Sequence, residues 1–505
     1  MVSPVGRYSR NVQETTLACR YQVLPLLLGN FGYVHHKQPR SLPPTNSNNL
    51  PSTLSNAADA YSSNLLLLLD CWNDLEGRER AYLPKEAKEP PQAWADRIKR
   101  TTFDNRFEPA IKDYAGLLSV FGLNDDVAQS IIDNKDNIDQ CGNDLWTFFH
   151  EVDQYCLRDG WCGVMVEYPP DDPNINSQAD LLESDRRPYL VLIDRRDILN
   201  WRTTKTNGKP QLARVTIRET RLEPDGDYGE KEVVYYRVLV RGEYFVFQII
   251  EGKGNEAQLL LVESGVTSLR EIPLVYYSVT ESGLFSAKAP FLNLAKLNIE
   301  HFQKRSGLNE VLRKCNLPVP VRKGLIRTVD DLKKVPPLVI GPNSVLDIPA
   351  DGDFFFAEPS GAAIAATRVD IKDLEAAMDR MTLDFLTSGD RQKTATEVVL
   401  DSTKTSANLK GVARRKESAM QQVFKFWANY TGETEGGGIT QDEDLLSVPL
   451  TPEQVDKLQN LADSGRISDR TLLLLLQRGK VLPRQFDIDA EVSLTESSAD
   501  RILAS

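Results

Sequence analysis

The chain has 505 residues and carries 60 Lys and Arg against 72 Asp and Glu, a formal net charge of −12, with a sequence pI near 5.1. Its apolar content of 41% and charged content of 26% exclude a mainly disordered chain and suffice for a sizeable core divided among several domains. The acidic balance argues against a protein that grips nucleic acid tightly, because such proteins usually carry a basic footprint.

The first third of the chain predicts helices. Residues 1–60 contain a Pro/Ser/Asn-rich stretch and predict an irregular, partly mobile N-terminal arm. Ser63 predicts the cap of a helix over the leucine run that follows it. Apolar residues recur at helical spacing in Trp94–Phe107 and again in Leu145–Leu157.

The sequence period changes at Gly163. The run Gly163–Tyr168 predicts a strand that is stopped by two prolines. From Tyr189 to Tyr277, runs of β-branched and aromatic residues alternate with turn signals such as Asn207-Gly208. This pattern predicts an antiparallel β block of about 90 residues.

Long helices return after Pro290. Residues 290–314 predict one helix that is ~37 Å long if continuous. Thr394–Trp427 predicts another very long helix, after a loop at Thr387–Lys393. A stripe at steps of three and four predicts a helix before that loop; its members are Ile371, Leu374, Met378, Met381 and Phe385.

The C-terminal part is punctuated by glycine. Gly436–Gly438 predicts a flexible joint. Thr451-Pro452 predicts the start of a helix that Gly465 ends, and Ser468 predicts the cap of a second helix. The second helix is almost entirely leucine from residue 472 to 476, which disfavours a DNA-reading helix-turn-helix.

Signatures of catalysis are mostly missing from the sequence. It contains neither a P-loop nor a GxSxG elbow, and Gln154 stands where a zinc motif begun by His150-Glu151 needs its second histidine. Two acidic groups fit a Mg²⁺ or Ca²⁺ site as an alternative to a solvated acidic edge: Asp351 with Asp353, and Asp487, Asp489 and Glu491, which share one face if they form a strand. We therefore predict no catalytic residue, no cofactor and no resident metal.

Membrane and disulfide features are also lacking. No apolar stretch reaches the ~18–20 residues that cross a bilayer. The apolar residues 24–34 are not followed by a small-residue cleavage site, so we expect synthesis in the cytosol. Six cysteines without a Cys-x-x-Cys pair predict reduced, buried thiols.

Three basic clusters interrupt the acidic chain. Arg97, Lys99 and Arg100 lie on an early predicted helix, and Arg414–Lys416 lies on the long one. A solvated helix face is the ordinary interpretation of both. Arg391 and Lys393, in the loop before the long helix, have a DNA-facing role as a specific alternative.

The order of these parts resembles the portal proteins of tailed bacteriophages, in particular a portal-like subfamily. The resemblance covers residues 70–505 and rests on four segments: Trp72–Ile111, Pro290–Cys315, Ser388–Glu397 and Gly465–Thr471. It implies an α+β subunit with a helical wing, two stem helices flanking a β-rich clip, tunnel-loop helices and a small helical crown.

The resemblance also implies domain boundaries. They are an arm at 1–60, the first part of the wing at 61–143, the first stem helix and a strand at 144–168, the β-rich clip at 169–285, the second stem helix at 286–315, the second part of the wing at 316–435 with the tunnel loop near 387–397, and the crown at 436–505. Tunnel-loop candidates are Asp390, Arg391, Gln392 and Lys393, and stem-helix candidates are Asn298, His301, Lys304 and Arg305.

The function implied by the resemblance is a ring of about twelve subunits at one capsid vertex of the virion, through which DNA is packaged and ejected. The implied partners are further copies of the chain, a packaging ATPase (terminase), a head–tail adaptor, the major capsid protein and double-stranded DNA passing non-specifically, with no membrane. A conduit must not arrest DNA, and a chain of net charge −12 suits that need. Two alternatives stay open: another non-enzymatic virion oligomer, such as an adaptor or minor head protein, and a carboxylate- or metal-dependent hydrolase.

Overall fold

The structure, a computed structural model, describes most of the chain from residue 50 onward. The described residues are 50–169, 186–206, 208–251, 257–267, 269–280, 282–315, 319–323, 353–357, 361–382, 395–441, 452–478, 481–482 and 486–492. Their mixed helix and sheet content confirms the predicted α+β class.

Eleven α-helices are delimited in the described residues. They are α1 (Asn56–Trp72), α2 (Glu79–Tyr82), α3 (Pro91–Arg100), α4 (Phe107–Leu118), α5 (Gln129–Asn134), α6 (Leu145–Asp159), α7 (Leu292–Cys315), α8 (Gly361–Asp379), α9 (Ala395–Thr431), α10 (Pro452–Asp463) and α11 (Asp469–Arg478).

Twelve strands are delimited in the same part of the chain. They are β1 (Phe121–Leu123), β2 (Trp161–Glu167), β3 (Tyr189–Ile193), β4 (Ile198–Thr206), β5 (Lys209–Asp225), β6 (Gly229–Val240), β7 (Glu243–Glu251), β8 (Ala257–Val266), β9 (Leu274–Ser278), β10 (Val319–Lys323), β11 (Asp353–Ala357) and β12 (Ile439–Gln441).

The chain divides into two compact units. The first contains residues 1–62, 112–290 and 388–505, and the second contains residues 63–111 and 291–387. This division differs from the predicted domains, because the segment 144–285 belongs to the first unit whereas α7 belongs to the second.

Two antiparallel sheets form the centre of the first unit. Strands β4 to β8 make a five-stranded meander in chain order, which confirms the predicted β block. Strand β2 lies between β3 and β9 in a three-stranded sheet and is buried along almost its whole length. Its run of apolar residues without alternation suits a strand covered on both faces.

Helices α6 and α9 pack on the three-stranded sheet. The side chain of Asp144 accepts a hydrogen bond from the Thr147 N–H and caps α6, while Gly160 ends it in the left-handed conformation. Helix α9 has 37 residues, slightly more than the Thr394–Trp427 prediction, and buries Met420, Val423 and Trp427 against the unit.

The second unit is a helical body with a two-stranded sheet. Helices α7 and α8 pack against each other, and α3 packs against α7. Strands β10 and β11 pair in antiparallel fashion, with Val319 opposite Ala357. Along the chain these two strands lie between the two packed helices.

Two predicted helix boundaries are wrong. Ser55, not Ser63, accepts the hydrogen bond from the Ala58 N–H, and α1 begins at Asn56. The helix predicted over Trp94–Phe107 breaks at Thr101, whose backbone is extended. The Asn105 side chain then caps α4, because its Oδ1 accepts hydrogen bonds from the N–H groups of Phe107 and Glu108.

The apolar stripe before the loop is confirmed in part. Ile371, Leu374 and Met378 are buried on α8, as their spacing predicts. The helix ends at Asp379, however, and Met381 beyond it is 36% exposed. Phe385 lies outside the described residues.

The prediction that Gly436–Gly438 forms a flexible joint is wrong. A Cβ on Gly436 would lie 2.3 Å from the Phe424 carbonyl carbon, and one on Gly437 would lie 2.4 Å from the Val127 Cα. The glycines therefore permit close contact between backbones, and the chain continues directly into β12, which pairs with β1.

The three acidic residues Asp487, Asp489 and Glu491 do not form the strand that would place them on one face. Residues 488–492 are helical, and Asp487 accepts a hydrogen bond from the Ala490 N–H at 3.0 Å. Asp489 forms an exposed ion pair with Arg470. The three carboxylates therefore do not share the face of a strand.

Candidate functional site

The packed helices of the second unit carry all four stem-helix candidates. His301 Nε2 lies 3.1 Å from Glu375 Oε1, and Lys304 Nζ lies 2.8 Å from Asp370 Oδ2. From His301 to Lys304 the residue number on α7 rises, whereas that of the partner on α8 falls from 375 to 370. The two helices therefore run antiparallel. The chain therefore runs in one direction along α7 and in the opposite direction along α8.

Asn298 is completely buried and joins α7 to the segment before α4. Its Oδ1 accepts the Arg106 N–H at 2.9 Å, and its Nδ2 donates to the Asp104 carbonyl at 2.7 Å. Both backbone groups depend on one side-chain amide. Asn298 thus has a structural role inside the subunit, which the sequence pattern alone did not indicate.

Replacing Asn298 with Ala is expected to lower the free energy of unfolding by about 2 kcal/mol, because buried hydrogen-bonding groups lose their partner. Asn309→Ala is the matched control, since Asn309 is exposed on the same helix. We expect the control to stay within about 0.5 kcal/mol of the wild type. Urea denaturation of the full chain measures both values, and equal values for the two variants would contradict the assignment.

The other three candidates differ in exposure. His301 is buried, and its Nδ1 has no hydrogen-bond partner among the described residues. Hydrogen bonds from Lys304 to Asp370 and Glu300 raise the pKa of the lysine above its usual value. Arg305 is exposed and forms no ion pair within the described part of the chain, so it is the candidate most available to a partner.

The early basic cluster is largely neutralised within the second unit. Arg97 is buried and binds Glu89 through Nε at 2.8 Å, and this hydrogen bond lowers the pKa of Glu89 to about 2. Arg100 pairs with Glu310 on α7 at 2.7 Å. Lys99 alone of the three is exposed without such a pair in the described residues.

The basic cluster on α9 separates into three environments. Arg414 is exposed, Arg415 donates to the Val279 carbonyl at 2.7 Å, and Lys416 is completely buried. The interpretation of this cluster as a solvated face is therefore right for Arg414 and wrong for Lys416. The loop candidates Asp390, Arg391, Gln392 and Lys393 lie outside the described residues.

Lys416 is the centre of a buried polar cluster in the first unit. Its Nζ lies 2.6 Å from Asp153 Oδ2 and donates to the Leu118 carbonyl at 2.7 Å. Tyr277 donates to the other carboxylate oxygen of Asp153 at 2.8 Å. Burial raises the pKa of Asp153, while Lys416 and Tyr277 act in the opposite direction.

A second buried cluster closes the turn after β3. Arg158 donates to Asp159 and to Asp194, and Arg196 binds the same Asp194 carboxylate. Burial opposes ionisation of Asp194, but Arg196 and Arg158 outweigh it and hold the pKa of Asp194 well below its usual value. These charges connect α6 to the start of β4.

A third cluster lies on one face of the meander. Arg237 on β6 binds Glu167 at 2.6 Å and also binds Glu219 on the neighbouring strand. The pKa of Glu219 is lowered, because Arg237 and Arg221 outweigh the effect of burial. The three clusters satisfy their own charges internally, which favours a structural role over catalysis.

The incomplete zinc motif that begins at His150 gains no further metal ligand among the described residues. His150 contacts the hydroxyl of Ser119 at 2.6 Å and the amide of Gln154 at 2.8 Å, both neutral partners. In the described part of the chain, no group of three or more His, Cys, Asp or Glu side chains is arranged to hold a metal ion. None of the described helices has the length and apolar content that a membrane crossing requires.

Comparison with known proteins gives one partial family match. Residues 290–431 match a family model described as a domain of unknown function, DUF4055. This segment contains α7, β10, β11, α8 and α9. No curated protein matches the chain.

Solved structures from gene transfer agent (GTA) particles are similar at low identity. The neck of an empty particle computed with C6 symmetry is 12% identical, covers 78% of this chain and 95% of its own, and has a TM-score of 0.38. The virion of a native particle is 12% identical, covers 79% of this chain and 98% of its own, and has a TM-score of 0.39. The neck of a native particle computed with C12 symmetry is 10% identical, covers 73% of this chain and 88% of its own, and has a TM-score of 0.37. No conclusion about function follows from values this low.

Proposed function

We propose that the chain is the subunit of a phage-type portal ring, a non-enzymatic conduit for DNA at one vertex of a capsid. The observation that carries the proposal is the antiparallel pair α7 and α8 with the β10–β11 strand pair between them along the chain. This is the order of a stem helix, a clip and a returning stem helix. It resembles the portal plan more closely than the division predicted from the sequence.

The proposal therefore reassigns two parts of the subunit. The clip becomes the segment between α7 and α8, which contains β10 and β11, and the five-stranded meander becomes part of the wing. The tunnel loop keeps its assignment near residues 387–397, the last three of which are the first three residues of the 37-residue helix α9. Helices α10 and α11 keep theirs as the crown.

The charges of the subunit support a conduit. The net charge is −12, and the buried arginines and lysine described above are paired with carboxylates inside the fold. These paired cations are not available to bind phosphates, and acidic residues outnumber basic residues in the chain as a whole, so DNA could pass without accumulating strong counterion-release affinity from each subunit. Arg305, Arg391 and Lys393 are the residues that we propose to face DNA.

The partners in this proposal follow from the assembly. Copies of the chain form the ring through a head-to-tail interface that closes. A separate packaging ATPase supplies the energy for DNA movement and binds the clip, which the head–tail adaptor contacts later. The major capsid protein surrounds the ring.

The particle mass and rotational symmetry of the purified protein test this proposal. We expect a closed ring with a central hole and a mass of about 680 kDa, twelve times the 56.7 kDa of one chain. Light scattering gives the mass, and negative-stain class averages give the symmetry. Monomers or dimers at every salt concentration, together with a metal-dependent hydrolysis that Asp489→Asn abolishes, would instead favour the hydrolase.

A further inference from the structure

We infer that Cys156 and Cys162 are a disulfide-forming pair, which closes when the chain meets a small disulfide such as oxidised glutathione. Cys156 lies in the last turn of α6, and Cys162 is the second residue of β2. Their Sγ atoms are 3.0 Å apart, and both residues are fully buried free thiols. The inference does not depend on the proposed function.

The backbone between the two cysteines holds them together. Gly160 turns the chain from helix to strand with φ +93°, and its N–H donates to the Cys156 carbonyl at 2.7 Å. A Cβ at this glycine would lie 2.6 Å from the Lys288 carbonyl carbon, so the turn is closely packed. The turn therefore fixes the distance between the end of α6 and the start of β2.

The side chains of the pair are held as well. Cys156 Sγ lies 3.4 Å from the Tyr277 carbonyl, and Cys162 Sγ lies 3.7 Å from the Val152 carbonyl. Strand β2 is paired on both sides, with Cys162 opposite Tyr277 on β9. An S–S bond of about 2.05 Å needs only a small further approach of the sulfur atoms.

The chemistry is thiol–disulfide exchange. One cysteine thiolate attacks a sulfur of oxidised glutathione, forms a mixed disulfide and releases one glutathione thiolate. The second cysteine thiolate attacks the protein sulfur of that mixed disulfide and releases the second glutathione thiolate. The two protons lost by the cysteines are taken up by the two glutathione thiolates, so the protein is oxidised by two electrons and the glutathione is reduced.

Burial determines when the exchange takes place. It raises the pKa of both thiols, and the folded protein therefore presents little thiolate to an oxidant. We expect slow reaction in the folded state and rapid reaction during refolding, when the thiols are exposed. Once closed, the bond is shielded by the same packing, so we expect it to resist reduction by glutathione.

Peptide mapping of the full chain, refolded in oxidised glutathione, tests the inference. Trypsin cleaves after Lys135, Arg158 and Arg186, so Cys156 and Cys162 fall in separate peptides, 136–158 and 159–186. We expect these two peptides to be joined, with the loss of two hydrogens, and the thiol count in denaturant to fall from six to four. We also expect the oxidised protein to unfold about 2–5 °C higher than the reduced protein.

Three serine variants identify the bond. Peptide 136–158 also contains Cys141, so Cys141→Ser must keep the linkage, whereas Cys156→Ser must lose it. Cys71→Ser is a second control, because Cys71 is equally buried but its thiol points to the Ala295 carbonyl. Six titratable thiols after oxidative refolding, or a linkage that depends on Cys141 and not on Cys156, would overturn the inference.

Discussion

Replacing Lys416 with Met is expected to lower the free energy of unfolding by about 3–5 kcal/mol, because the change leaves the buried Asp153 carboxylate without its cation. Asp153 and Lys416 are both completely buried and lie 2.6 Å apart. The Leu118 carbonyl loses a donor at the same time. Urea denaturation of the purified chain measures the loss.

Lys425→Met is the matched control for this variant. Lys425 lies on the same helix but is exposed, so its replacement is expected to change stability by no more than about 0.5 kcal/mol. The comparison separates the effect of the buried pair from the effect of the substitution on α9 itself. A Lys416→Met protein as stable as the control would show that the carboxylate does not depend on the lysine.

The loss of unfolding free energy in Lys416→Met should also depend on pH, in a direction that follows from the pKa of Asp153. Burial already raises the pKa of Asp153, and without Lys416 that pKa rises further. Between the unfolded and folded pKa values the folded state then binds more protons, so stability falls as pH rises. We therefore expect the deficit of Lys416→Met to shrink as the pH is lowered from about 8 to about 5.

The burial of Lys416 could have been found in the sequence. Positions 409, 412, 413, 416, 419, 420, 423 and 427 form one face of a helix, and Lys416 is the only charged residue among them. Its membership in an Arg-Arg-Lys run concealed this, since a run of charges ordinarily indicates a solvated surface. The partner of the lysine could not be found in this way, because Asp153 is 263 residues away in sequence.

The elements that sequence reasoning placed well are those with local signals. Asp144 caps α6 and Gly160 ends it, Ser468 accepts a hydrogen bond from the Thr471 N–H at the start of α11, and the meander has turn pairs between its strands. The helix over Trp94–Phe107 failed because Thr101 bonds Ser306, a residue 205 positions away. Such long-range contacts produce no periodic pattern in the sequence.

The candidate site was harder to predict than the fold. The helix predicted over residues 290–314 is confirmed as α7, and its role as a stem helix stays a prediction. The packing of α7 against α8 and the pairing of β10 with β11 carried no signal in the sequence. Two of the four residues selected on α7, Asn298 and His301, are buried. A polar residue in a helix indicates surface by default, and only its neighbours in space show otherwise.

Replacing Gly160 with Ala is expected to lower the free energy of unfolding by about 3–4 kcal/mol, the sum of a left-handed backbone penalty and overpacking against rigid backbone. The new Cβ would lie 2.6 Å from the carbonyl carbon of Lys288 and 2.7 Å from the amide nitrogen of Ala289. These are main-chain atoms, so they cannot move aside as a flexible side chain could. The turn between α6 and β2 must open instead.

Gly142→Ala separates these two contributions. Gly142 has the same φ of +93° as Gly160, but a Cβ there would meet nothing within 4 Å. Its replacement should therefore cost only the backbone penalty of about 1 kcal/mol. The difference between the two variants, measured by urea denaturation, is the energy of the contact itself. Equal losses would mean that the turn at Gly160 relaxes freely, and the close approach of Cys156 to Cys162 would then not be imposed by the fold.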